Sequence, residues 1–231
     1  MSYQNRTILD LSHAITPNIP MWPGDPAVAI EPTATIAADG YLLHRLQLGE
    51  ASGTHVAYSA HFHPNGRRVD DVPVTHLLLP AVCIDVRDEV AKNPDFTLGV
   101  NDVQKWEAVH GQILAQSVVL LCTGWDRYWD FPERYLAAPT PGYAVAAAQM
   151  LAQQRGVLGL GIDTHGIDPG TDVTFGTNRY WLQGERFHLE NLTNLGLVPP
   201  TGCLLFIGAL NIAGGAGSPA RVIAMLAEGE G

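Results

Sequence analysis

A chain of 231 residues is long enough to bury one substantial core. Hydrophobic residues make up 46% of it and charged residues 16%, a balance that excludes an intrinsically disordered protein. The formal charge of -10 argues against a nucleic-acid backbone or an anionic membrane surface as principal partner. Residues 1–6 lead into no continuous apolar stretch, so no secretory leader is expected. No run approaches the ~20 apolar residues of a membrane span, and the cytoplasm is the expected address.

Residues 7–13 read as a short strand. Pro17, Pro20, Pro23 and Pro26 then forbid helix and hold Trp22 in a stiff, extended segment. A tryptophan held this way is either a core plug or the wall of a ligand pocket; from the residues alone the core is preferred. Residues 27–37 and 41–50 are expected as paired strands about a turn at Asp39-Gly40. The second alternates, with Leu42, His44, Leu46 and Leu48 on one face. It delivers the chain to Gly53, His55 and His61. Neutral imidazole is both a common metal ligand and the usual general base near pH 7. The competing reading is a turn whose histidines face solvent.

Asn65-Gly66 marks a further turn, and residues 81–86 a buried strand. Asn101, with Gln104 three residues on, predicts a capped helix to about residue 109. Residues 117–122 form a continuous apolar strand. Pro141-Gly142 is expected to open a helix ending at Arg155-Gly156. Residues 157–162 form another apolar strand that ends at Asp163, and 203–207 the last buried one. The glycines of 214–217 read as a loop. Cys83, Cys122 and Cys203 each lie in an apolar run, as buried free thiols of a reducing compartment do. Without repeats or a linker, one mixed α/β domain over 1–231 is expected, with function on its loops.

With these pieces in order, the chain resembles the cyclase family of metal-dependent hydrolases, which includes bacterial kynurenine formamidases and isatin hydrolases. The resemblance rests on Asp10-Leu-Ser-His13, Trp22-Pro-Gly-Asp25, Gly53-Thr-His55 with His61, and Val69-Asp-Asp-Val-Pro73. It continues through Thr123-Gly-Trp125, Gly161-Ile-Asp-Thr164 with Asp168, and Glu190-Asn-Leu-Thr-Asn-Leu195. It implies a swivelling β/β/α fold, a mixed sheet with surrounding helices, assembled as a homodimer or homotetramer. It also implies that the Trp22 segment contributes to a small-molecule pocket, even across a subunit interface.

The departures are specific. The family's core motif is His-x-Gly-Thr-His-x-Asp-x-Pro-x-His; here Ala51, Ala57 and Ser59 stand at the first His, the Asp and the Pro, and His55 and His61 remain. Counting back twelve residues from Glu190, to where the family carries its acid/base His, lands on Asn178. An amide can hydrogen-bond there but cannot shuttle a proton. The resemblance leaves His55, His61 and Glu190 as the surviving ligand set for one divalent ion (zinc, manganese or iron), with Asn178 beside them. Such an ion would lower the pKa of its water and polarise a carbonyl, as hydrolysis of a small amide, lactam or lactone requires. His63, His165 and His188 are candidates for the missing proton shuttle, and Trp22 and Trp125 for shaping the substrate. The alternative is a pocket without metal, in which His55, His61 and Glu190 act as acid and base in a cyclisation, dehydration or isomerisation. A third reading is a relative that binds a small molecule and does not turn it over.

Overall fold

The computed structural model describes residues 6–227. Residues 1–5, part of the stretch where no leader is expected, lie outside the described residues. In chain order the strands are β1 (Ile8–Asp10), β2 (Ala29–Ala34), β3 (Leu43–Gln47), β4 (His55–Tyr58), β5 (Leu78–Asp85) and β6 (Thr97–Leu98). They continue as β7 (Val118–Cys122), β8 (Gly142–Tyr143), β9 (Gly159–Ile162), β10 (Phe187–Glu190), β11 (Cys203–Ala209) and β12 (Gly217–Leu226). The α-helices are α1 (Ile36–Asp39), α2 (Arg87–Lys92), α3 (Val100–His110), α4 (Pro132–Tyr135), α5 (Val145–Met150) and α6 (Gly176–Trp181). Among the described residues no helix is long and apolar enough to cross a membrane.

Eight strands form one mixed sheet in the order β1-β12-β11-β5-β7-β9-β10-β4, and β4 returns to pair with β12, closing it into a barrel. The length of β12 permits this. Gly217 and Pro219 register with Ala57 and His55 of β4, while Ile223 and Met225 register with Asp10 and Ile8 of β1. Strands β5, β7, β9 and β10 run parallel. Parallel strands covered on both faces read as unbroken apolar runs, and β7 shows why. Val118, Leu120 and Cys122 pack inside the barrel with Leu205 and Val222, while Val119 and Leu121 pack under the helices with Tyr143, Ala147 and Trp181. Gly161 of β9 answers to the same crowding, since a Cβ there would lie 2.5 Å from Leu120. The three cysteines are buried and free, as expected.

Several boundaries differ from expectation, each for a local reason. Helix α3 starts after Gly99, not Asn101, because Asp102 reaches back to accept the Gly99 N–H at 3.0 Å. Pro141-Gly142 does not open a helix. Gly142 and Tyr143 pair with Thr97 and Leu98, and α5 begins at Val145, passing into a π-turn that stops at left-handed Gly156. Among the described residues the last strand is β12, not residues 203–207; it grows out of the stretch expected as loop. Pro219 and the small residues beside it hide its alternation. Strands β2 and β3 form a separate hairpin, shortened by α1, which Thr35 caps at one end and left-handed Gly40 at the other. The alternation of β3 marks no buried face: all five residues are exposed.

Candidate active site

Strands β4 and β10 are antiparallel neighbours, with His55 opposite Glu190 and Ala57 opposite His188. Side chains alternate across a strand. Val56, Tyr58, Phe187 and Leu189 therefore enter the barrel core, and His55, Ala57, His188 and Glu190 share the other face. His55, His188 and Glu190 line a cavity of about 470 Å³, which His61 joins from the 3-10 turn Ser59–His61 after β4. A second cavity of about 250 Å³ is lined by Ala51 and Ala57 and shares Asp25, Ala51, His55 and His61 with the first.

The loop before β4 sets His55. Gly53 has φ 68°, a conformation that favours glycine, and its carbonyl accepts both His55 Nδ1–H at 2.9 Å and Asn191 Nδ2–H at 2.8 Å. The other nitrogen, His55 Nε2, lies 3.3 Å from Glu190 Oε2. Burial would lower the His55 pKa, but the contact and charge of Glu190 outweigh it and raise it. Glu190 is the complement: burial pushes it up, and His188 and His55 hold it well below the usual carboxylate range. Its Oε1 accepts the Ile167 N–H at 3.1 Å and lies 3.1 Å from His188 Nδ1. That nitrogen sits off the hydrogen-bonding line, so both nitrogens of buried His188 lack a partner. The cluster is thus a fixed His55–Glu190 pair with a second imidazole, His188, against it. His61 differs. Burial, aided by His188, lowers its pKa and leaves a neutral imidazole open to the cavity.

Of the residues singled out from the sequence, His55, His61, Glu190, Asn178, Trp22, His165 and His188 line the one cavity. Trp22 is 45% exposed, with its ring 5.3 Å from His165 and 6.0 Å from Phe175, so it is a wall of the pocket and not a core plug. Trp125 is the reverse. It is fully buried under the helices, its indole N–H donating to the Tyr135 carbonyl at 2.9 Å, and it does not reach the cavity. His63 also stands outside, with Nε2 donating to the Arg179 carbonyl at 3.1 Å. Phe62 and Phe175 complete the aromatic wall and carried no signal in the sequence. His188 did carry one, since His-x-Glu on a strand puts both side chains on one face. Its position opposite Ala57 needed the register.

The donors suit a metal in kind but not in arrangement. Ala51 and Ala57 offer only methyl groups. Among the described residues no group of three or more His, Cys, Asp or Glu side chains is disposed to hold a metal ion. His55 Nε2 and Glu190 Oε2 lie 3.3 Å apart, and His61 does not join them in such a group. As they stand, His55, His61 and Glu190 do not fit the ion that the resemblance implies.

The family model described as putative cyclase matches residues 9–169, and the chain belongs to the cyclase family. It is 29% identical to the isatin hydrolase of Roseibium aggregatum over 95% of this chain and 91% of that one. A kynurenine formamidase of Geobacillus thermodenitrificans is 28% identical over 71% of each. The solved isatin hydrolase A of Ralstonia solanacearum superposes with a TM-score of 0.89 at 29% identity, covering 96% of this chain and 93% of that one.

Proposed function

We propose that this chain is a hydrolase of a small amide, lactam or lactone, worked by its own acid and base groups. The observation that carries the reading is the neutral His61 imidazole, open to the cavity beside the fixed His55–Glu190 pair. The activities for which the relatives are named, isatin hydrolase and kynurenine formamidase, support the reaction class. Trp22, Phe62 and Phe175 supply flat apolar walls for a ring. In this reaction His61 takes a proton from water as its oxygen bonds to the substrate carbonyl carbon. His55 is held beside His61 by Gly53 and Glu190, and against the effect of burial the Glu190 carboxylate raises its pKa. As the C–N or C–O bond breaks, protonated His61 returns the proton to the leaving atom. A divalent ion would need His55, His61 and Glu190 rearranged, and no step here uses one.

The test is hydrolysis of formanilides, lactams and lactones with and without chelator, alongside elemental analysis of protein purified without added metal. Activity is expected to survive chelator and to fall by about a hundredfold or more in His61→Gln. The acid limb should follow His61: its pKa lies below 6.5, so rate is kept down to that lowered value and lost beneath it. About one metal per chain with chelator-sensitive activity would sink the metal-free mechanism. A second reading, a cyclisation, dehydration or isomerisation in the same pocket, is favoured by Asn178 where an acid/base His is expected. A product of unchanged mass, or one lighter by a water, would select it.

A further inference from the structure

Asn178 is buried at the wall of the cavity, 6% exposed. Its Nδ2 donates to Asp168 Oδ2 at 2.7 Å. The same carboxylate accepts the Thr177 N–H at 2.6 Å and the Asn178 N–H at 3.3 Å. A carboxylate that receives three N–H groups is an acceptor only. Turning the Asn178 amide over would set oxygen against oxygen, so Asp168 fixes which end faces away. That end is Oδ1, which is buried and has no hydrogen-bond partner. A buried carbonyl without a donor is unfavourable, and a bound molecule that brings an N–H or O–H relieves it. The other unpaired side chains of the cavity, His165 and His188, can donate or accept according to tautomer and make no such choice. Oδ1 can only accept.

We infer that Asn178 Oδ1 is the acceptor for an N–H or O–H group of the substrate, so that the site selects a small planar aromatic molecule with a free donor on its edge and rejects its alkylated analogue. An unsubstituted lactam or a phenol has such an edge, and Trp22, Phe62 and Phe175 supply the walls for its ring. The inference rests on the pocket proposed above as the reaction site, and it concerns recognition, not bond cleavage.

Calorimetric titration of the intact protein with matched pairs tests it: isatin against N-methylisatin, 2-indolinone against its N-methyl derivative, and 1-naphthol against 1-methoxynaphthalene. At least one donor-bearing member should bind about tenfold or more tightly than its methylated partner. Asn178→Leu keeps the shape and removes the acceptor, and should bring that ratio near one. If it folds poorly by circular dichroism, Asn178→Ala removes the acceptor with less bulk and should do the same. Equal binding within every pair, no binding by any donor-bearing member, or an unchanged ratio in the folded variant would overturn the inference. The last outcome would assign the discrimination to the bulk of the methyl group. Ligands bound with full discrimination but recovered intact would remove the hydrolase reading and leave this one standing; hydrolysis without discrimination would do the opposite.

Discussion

The two faces of β4 and β10 share one backbone and obey opposite rules. Inward, Val56, Tyr58, Phe187 and Leu189 meet other apolar side chains in the barrel core, and their value lies in contact and volume. Outward, His55, His188 and Glu190 are as deeply buried but charged or polar, and their stability is conditional on one another. The barrel interior buries the first face; loop and turn residues outside it, Trp22, Phe62, His165 and Phe175 among them, enclose the second.

Glu190→Ala should break the outward face most. It leaves His55 Nε2 and the Ile167 N–H without their acceptor, and urea titration should show a loss of about 3–5 kcal/mol. The matching inward deletion, Leu189→Ala, should cost about 2–4 kcal/mol as a cavity. Affinity for pocket ligands should stay nearly unchanged in the protein that remains folded. If the two variants shift stability and binding alike, the faces are not independent. The smallest effect belongs to a histidine outside both faces. His13 is stacked on Trp129 with ring centroids 3.9 Å apart, and burial pushes its pKa down to about 4. The unfolded chain takes up that proton near pH 6.5 and the folded chain does not, so stability is complete above pH 6.5 and falls as pH drops toward 4. Allowing for its partial exposure, about 1–2 kcal/mol should be lost across the window, and His13→Phe should flatten that part of the profile.

Three of the barrel's four parallel strands, β5, β7 and β9, were legible because burial on both faces writes itself as an unbroken apolar run; β10 was not, because His188 and Glu190 interrupt its apolar residues. Strand β12 was not, because Pro219 and its small neighbours mask the period and its place depends on pairing with strands far back in the chain. The same limit governed the site. Residue type reached His55 and His61, and the resemblance to the cyclase family added Glu190 and Asn178. They could not tell Trp22 from Trp125, since which indole is wrapped by helices is decided by packing between distant segments. Nor could they show that His188 faces Ala57, which is a fact of register.

The way the barrel closes also fixes when the pocket can exist. His55 is translated long before β10 or β12, the two strands that flank it. Through most of elongation β4 emerges with both edges unpaired and its apolar residues uncovered, the condition in which a nascent strand is most open to chaperones or to mispairing. The candidate site is consequently among the last parts of the molecule to mature, and its appearance should trail synthesis of Gly217–Leu226 at the pace set by long-range strand pairing.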